Sequence, residues 1–537
     1  MREKEQVMPK NAIVVMFDSL QFNYLGCYGN EWIKTPNMDR LAREGVLFEN
    51  CYTEGLPTVP CRRAMHTGRY TLPTKGWSAL TMDDTTIADL CWGRGIDSAL
   101  VFDCPMYRLF KFGYTRGFDK VYFTHGHEGD TQFYAKDPLY HVKAEDYVED
   151  HVLQTADKTF GGRIVGPMLE EMNSYLNQTQ YWKSEEDRYV ARTMRKAIEY
   201  LENVDRNKQF FLWVDSFDPH EPWNPPSVYM NFPCPYDPDY KGKDQFLPLM
   251  GDVDDLYTEE ELHHIRMLYA ELVTLCDSYL GIFLDAVRRL GLEENTLLMM
   301  VSDHGEPMGK GEHGHGIMRK CRPWPYEELA HTPMILRAPG VKAGQRIKAF
   351  VQSCDVAPTV CDWLGIGVHP DMHGKSLLPL VRGEVDKVRD FAIAGYHKFS
   401  WAIYTEDWSY IHWLRKGDSS SQSSLVYDMY VQGVMDTGKN VIDDVLRDKY
   451  SKSSVVRADD FNKKESEEQR KYREAATLDG EDQWTCTPGS VAALPEEDEL
   501  YDRRNDPFQL HNVIAEHPEE AKKLLLMLKD FIQEVSE

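Results

Sequence analysis

The stretch VSDHGEPMGKGEHGHGIMRK, residues 301–320, sets Asp303 and His304 side by side directly behind an apolar run. An adjacent carboxylate and imidazole can both face a divalent cation in a mixed oxygen and nitrogen site. The bland alternative is an aspartate that caps the following turn. A second stretch, EGLPTVPCRRAMHTGRY at 54–70, gathers Cys61, His66 and the arginines Arg62, Arg63 and Arg69. Cys61 is the obvious nucleophile candidate there, and an arginine can grip an anion. Three more acids close apolar runs: Asp18 ends NAIVVMFD, Asp103 ends SALVFD and Asp215 ends FFLWVD.

These acids work together only if the chain brings the run ends to one place. Continuous β-rich runs suit strands buried on both faces of a mainly parallel sheet. In such open sheets ligands sit outside the carboxyl ends of the strands, where the four acids would converge. Helical patterns stand between the runs, among them TPNMDRLAREG, TTIADLCWGRG and EEDRYVARTMRKAIEYLENV. The longest, EEELHHIRMLYAELVTLCDSYLGIFLDAVRRLG, stops at a glycine, as helices commonly do. Strand and helix in alternation predict an α/β fold: a large mixed, mainly parallel sheet flanked by helices over residues 1–385.

The segment 124–180 has no clear period and reads as an insertion near the pocket. Beyond about residue 385, FAIAGYHKFSWAIYTEDWSYIHWLRKG alternates as hairpin strands do, and the tract 437–498 is acidic and polar. The final PEEAKKLLLMLKDFIQEV is an amphipathic helix. Residues 386–537 are therefore expected to form a smaller α+β subdomain.

Composition removes several function classes. With 42% hydrophobic and 28% charged residues, the 537-residue chain has the make-up of a packed protein. A net charge of -26 opposes the basic surface that nucleic acid requires. Neither a cleavable leader nor an apolar run of membrane-span length is read, so no membrane partner and a cytoplasmic location are expected. Eleven cysteines without a C-x-x-C pair disfavour a disulfide framework and a cysteine zinc site. No repeat or coiled-coil seam announces an oligomeric state.

Taken with FDS at 17–19, TPNMDRLAREGVLFENCY, RGFDKVY and ELYDRRNDP, the two opening stretches resemble the sulfatase branch of the alkaline phosphatase superfamily, in the right order over most of the chain. That family's signature reads Cys or Ser, any residue, Pro, any residue, Arg, four residues, then Thr-Gly-Arg, and its first residue becomes formylglycine. Laid over this chain, Pro60 and Arg62 match, Thr67, Gly68 and Arg69 match, and the nucleophile place falls on Thr58. Cys61 is then a decoy, and no formylglycine is expected. The resemblance further implies a divalent metal held by Asp18, Asp303 and His304 beside Thr58, with Arg62 stabilising nucleophile and oxyanions. His220 would be the pocket histidine, Lys320 the lysine on a nonbridging oxygen, and His315 a substrate contact, with His313 an alternative for the last. A second metal on Asp215 or Asp218 with His220 and His315 is a further possibility the superfamily raises. Tyr107, Trp223 and the aromatics near Trp401 can line a pocket or simply fill the core.

Two departures shape the expected activity. Ser19 stands where the family commonly has a second acid, which removes one hard charge, favours manganese, zinc or magnesium over calcium, and leaves Ser19 to face substrate. The usual Lys-x-His pair is absent, since ALVFDCPMYRLF occupies its place. A pocket with fewer cations suits a small anionic ester whose transferring group carries one charge. The expectation is hydrolysis of a phosphodiester or phosphonate monoester through covalent Thr58. The alternatives are a sulfatase working without formylglycine and an inactive binding protein of the same fold.

Overall fold

Every residue of NAIVVMF is buried because strand β1 (Asn11–Phe17) is covered on both faces: Ile13, Val15 and Phe17 join one core, and Ala12, Val14 and Met16 another. This double burial removes the alternation of a half-exposed strand and leaves a continuous apolar run. A computed structural model of the chain describes residues 9–108, 112–127, 143–160, 165–249, 251–252, 256–311, 314–320, 324–397, 399–414, 495 and 497–536. The other strands of the large sheet are β2 (Val46–Tyr52), β3 (Asp97–Phe102), β4 (Lys120–Phe123), β5 (Phe210–Ser216), β7 (Thr296–Ser302), β9 (Met334–Arg337) and β10 (Gln345–Gln352). Two-residue strands β6 (Gly251–Asp252) and β8 (Ile317–Met318) pair separately.

The eight strands run in the order β10-β2-β9-β7-β1-β5-β3-β4, and only β9 pairs antiparallel with its neighbours. The fold class is thus the one expected. Four adjacent strands, β7, β1, β5 and β3, deliver Asp303, Asp18, Asp215 and Asp103 to the same edge. Behind that edge lies the helix Glu259–Arg289, opened by a capping box in which Thr258 accepts from the Glu261 amide. By length and composition it would cross a membrane, contrary to the expectation that no run comes near that length, but 83% of its apolar window is buried against the sheet and its neighbours.

A second sheet, β11 (Ala392–Tyr396), β12 (Ser400–Tyr404), β13 (Trp408–Trp413) and β14 (Glu499–Asp502), is antiparallel throughout. The terminal helix Pro518–Ser536 packs Leu524, Leu528 and Ile532 against Ile393, Ile403 and Tyr410 of this sheet. Most of the acidic tract 437–498 lies outside the described residues. The expected insertion holds helices Asp150–Phe160 and Val165–Thr179, which its mixed pattern hid. All nine described cysteines are free, and eight are buried.

The helix Thr58–Thr67 is clamped across its two ends by Glu54, whose carboxyl oxygens accept from the Thr71 amide, the Thr71 hydroxyl and the Leu72 amide at 2.7, 2.6 and 3.1 Å. Burial pushes this carboxyl up to about 7, against those bonds. A raised folded value means that the folded state holds the proton more tightly, so the contribution to stability is complete below the ordinary value near 4.5 and is lost as pH climbs through 7. The stability of wild type relative to Glu54→Gln should therefore fall between pH 4.5 and 8 by up to about 3 kcal/mol, at about 1.4 kcal/mol per unit. Urea unfolding of both proteins across that range measures it, and a difference independent of pH would refute it.

Candidate active site and metal centre

Arg62 sits at the centre of the acidic edge. It projects from the helix Thr58–Thr67, which ends at Gly68 in the left-handed region with φ 68°. Its Nε and Nη2 bond the two oxygens of Asp215 at 3.2 and 2.8 Å, while Nη1 lies 2.8 Å from Asp18 Oδ2 and 2.5 Å from Asp303 Oδ2. The same Nη1 reaches the Thr58 carbonyl at 3.4 Å, and Tyr107 covers the guanidinium with its ring centroid 5.5 Å from Cζ. All four charged side chains are fully buried. Arg62 is therefore held by three carboxylates and ties to Thr58 through the main chain, a more structural posture than direct oxyanion binding.

Thr58, the first helical residue, places Oγ1 3.2 Å from His304 Nε2. His304 donates its Nδ1–H to the Gly305 carbonyl at 2.7 Å, which leaves the lone pair of Nε2 toward the hydroxyl. That nitrogen also stands 3.4 Å from Asp303 Oδ2 and 3.9 Å from Asp18 Oδ1. Burial, with Lys320 adding to it, holds the His304 pKa down at about 3, so the ring is neutral. The Nε2 lone pair and two acids crowd one buried volume in which the Arg62 guanidinium supplies a single positive charge, and a divalent cation would add the charge that is lacking. Asp18 Oδ2 has the Arg62 guanidinium at ion-pair distance but no well-aligned hydrogen bond, and burial together with the Asp18 charge pushes the Asp303 carboxyl far above its ordinary value. Donor atoms of Asp18, Asp303 and His304 lie within 4.8 Å of one another, which fits a divalent metal.

Ser19 has a left-handed backbone, φ 60°, stabilised by its amide on Asp303 Oδ1 at 3.1 Å and by Tyr269, which donates to its carbonyl at 2.6 Å. Its hydroxyl donates to Asp18 Oδ1 at 2.8 Å and accepts from Lys320 Nζ at 3.2 Å. Lys320 stands 3.8 Å from Asp18 and Glu221 and 3.9 Å from Glu306. His220 stacks on Phe217 at 3.9 Å with Nδ1 2.6 Å from the Glu221 carbonyl. Burial, reinforced by Lys320, lowers its pKa to about 3.

Cys61 is no nucleophile: its thiol donates to the Asp303 carbonyl at 2.8 Å, and burial with the Asp303 charge holds it well above the usual thiol range. The structure brings Asp18, Ser19, Thr58, Arg62, His220, Asp303, His304 and Lys320 to one edge of the sheet, but not His315. Both His315 nitrogens are engaged elsewhere, on Glu328 at 3.1 Å and the Gln509 carbonyl at 2.7 Å, and its ring stacks on Tyr326. Asp215 belongs to Arg62 and Asp218 to Arg188, so the imagined second metal cluster does not assemble among the described residues. Trp223 is core, with its Nε1–H on the Pro219 carbonyl. Sequence reasoning missed Glu221 and Glu306, the acids around Lys320; the available signal was that Glu221 adjoins His220 and Glu306 lies two residues past His304.

This arrangement defines a class, a metal-dependent hydrolase of alkaline phosphatase-like architecture, and solved structures agree on the fold. The phosphonate monoester hydrolase of Agrobacterium radiobacter superposes with a TM-score of 0.62 over 97% of this chain and 96% of its own, at 19% identity. The family comes from the sequence comparisons. A profile described as Sulfatase matches residues 10–366, well over half of the chain, and one described as N-sulphoglucosamine sulphohydrolase, C-terminal, matches 311–431. The chain belongs to the sulfatase family. It is 27% identical to the arylsulfatase of Clostridium perfringens over 421 residues, 73% of this chain and 82% of that protein. It is 25% identical to the N-acetylglucosamine-6-O-sulfatase of Bacteroides thetaiotaomicron over 511 residues, 80% of this chain and 82% of that one.

Two outcomes test the site. Asp303→Asn or His304→Ala should weaken metal binding by at least about tenfold, since even residues behind the ligands cost that much; metal analysis of dialysed protein reads it. Asp215→Ala removes the two-point anchor of the Arg62 guanidinium but leaves it Asp18 and Asp303, and should cost about 1–3 kcal/mol in urea unfolding.

Proposed function

We propose that this chain hydrolyses phosphodiesters or phosphonate monoesters through a covalent intermediate on Thr58. The observation that carries the reading is the Thr58 hydroxyl itself, buried at a helix start 3.2 Å from the neutral Nε2 of His304. A formylglycine hydrate can expel sulfate by collapsing to an aldehyde, but a threonine ester has no such exit. A phosphorylated threonine needs only in-line attack by water, for which phosphorus is well suited.

A bound divalent ion, manganese, zinc or magnesium rather than calcium given the imidazole donor and Ser19, would lower the pKa of the Thr58 hydroxyl and offset charge on the transferring group. The chain's own residues supply the rest. Thr58 Oγ1 forms the bond to phosphorus as the ester oxygen departs, and its proton ends on that oxygen. That proton is exchanged through solvent, and His220, neutral with Nδ1–H donated to the Glu221 carbonyl, meets the departing ester oxygen beside Lys320. Water then cleaves the threonine ester and restores the hydroxyl. Lys320 binds a nonbridging oxygen as a point charge. Arg62 is in close contact with three carboxylates and Lys320 stands farther, at 3.8–3.9 Å, from three of its own, so little net positive charge faces substrate at this edge, which favours a singly charged group.

The second reading is a sulfatase that works without formylglycine, favoured by the sulfatase relatives. Turnover of bis(p-nitrophenyl) phosphate, phenyl p-nitrophenyl phosphonate, p-nitrophenyl phosphate and p-nitrophenyl sulfate by metal-loaded protein separates them. The diester or the phosphonate should dominate, and Thr58→Ala should lower kcat/KM by at least about 10³-fold. Dominant sulfate release would make the second reading correct. Turnover of every ester at no more than the uncatalysed rate, equally by wild type and Thr58→Ala, would leave a binding protein.

A further inference from the structure

Tyr396 of the antiparallel sheet touches two segments of the catalytic edge. Tyr396, the last residue of β11, forms a parallel bridge with Leu56, and Leu56 donates its amide to the Gly395 carbonyl at 2.8 Å, two residues before Thr58. The Tyr396 hydroxyl donates to the main-chain carbonyl of Lys320 at 2.7 Å. Tyr396 is fully buried. The turn after it is tight enough that a Cβ at Gly395, φ 147°, would lie 2.1 Å from the Ser400 carbonyl oxygen, so glycine is what lets β11 present its edge to Leu56.

These contacts close a ring of bonds. Leu56 leads into Thr58; Arg62 joins the Thr58 carbonyl to Asp18; Ser19 joins Asp18 to the Lys320 ammonium; and Tyr396 joins the Lys320 main chain back to Leu56. Lysine is a poor self-positioning group, since its charge rides on a flexible four-carbon stem. Its neighbour Arg319 anchors the preceding residue with Nε on Glu221 Oε1 at 2.6 Å, and the Tyr396 phenol anchors the carbonyl of Lys320 itself. A fixed main chain is the requirement for a lysine that must reach one oxygen of a bound ester.

We propose that Tyr396 is a positioning residue that fixes Lys320 relative to Thr58, so that the C-terminal sheet is a working part of the active site. The inference rests on the role of Lys320 given under the proposed function. A matched control lies one strand away. Tyr404 of β12 also donates its phenol to a main-chain carbonyl, that of Pro325, without touching Lys320.

The experiment measures kcat/KM for the ester the wild type prefers, with thermal melting of each protein. Tyr396→Phe removes one oxygen and should lower kcat/KM by about tenfold, the scale of one hydrogen bond. In a Lys320→Ala background the same change should cost less than about twofold, because the residue it acts through is gone. Tyr404→Phe should lose comparable thermal stability with less than about twofold loss of activity. Equal losses from Tyr396→Phe in both backgrounds, no loss at all, or an equal loss from Tyr404→Phe would overturn the inference. So would failure of Tyr396→Phe to fold where Tyr404→Phe folds. A silent Lys320→Ala would overturn the substrate role of Lys320 and this inference with it; a damaging Lys320→Ala with an additive Tyr396→Phe would overturn the inference alone.

Discussion

The catalytic edge depends on the meeting of Arg62 with Asp18, Asp215 and Asp303. Each carboxylate comes from a different strand, and parallel neighbours ending together force the three charges into one dry volume. Like charges there cannot all stay ionised without a compensating cation. The guanidinium is suited to the task because its planar fork binds Asp215 with two nitrogens and turns the third toward the other two acids. One positive charge against three negative ones still leaves a deficit. The same excess that threatens the fold makes the cluster of Asp18, Asp303 and His304 attractive to a metal.

Much of this was legible from residue order. A strand buried on both faces has no polar alternation to obscure it, so the runs ending at Asp18, Asp103, Asp215 and Asp303 stood out, and their common direction placed the acids together. The signature residues Thr58, Pro60 and Arg62 were readable because one helical turn fixes their relation. What Arg62 binds was not readable, since its partners lie 153 and 241 positions along the chain. His315 failed for a related reason: the spacing to Lys320 suited a site, but its ring is taken by Glu328 and by Gln509, 194 residues away. The helices Asp150–Phe160 and Val165–Thr179 escaped notice because tertiary packing overrides a weak local pattern.

The two buried histidines show how position divides one chemistry. Both are kept neutral by burial and the nearby lysine, and both donate Nδ1–H to the carbonyl of the next residue. His304 turns its other nitrogen toward carboxylates and a hydroxyl, which suits a metal ligand. His220 lies against Phe217, on a ring whose centroid is 6.0 Å from the Lys320 ammonium, which suits a contact with the departing ester oxygen. The same tautomer serves both roles, and the neighbours decide which applies.

Thr58 at the start of its helix also bears on how the protein becomes competent. An aldehyde nucleophile exists only after its precursor residue has been oxidised, so the working fraction depends on how far that oxidation has gone. A threonine is written in the gene. With Thr58 in that role, every correctly folded and metal-loaded molecule carries the same nucleophile, whatever cell made it, and the count of working sites equals the count of such molecules.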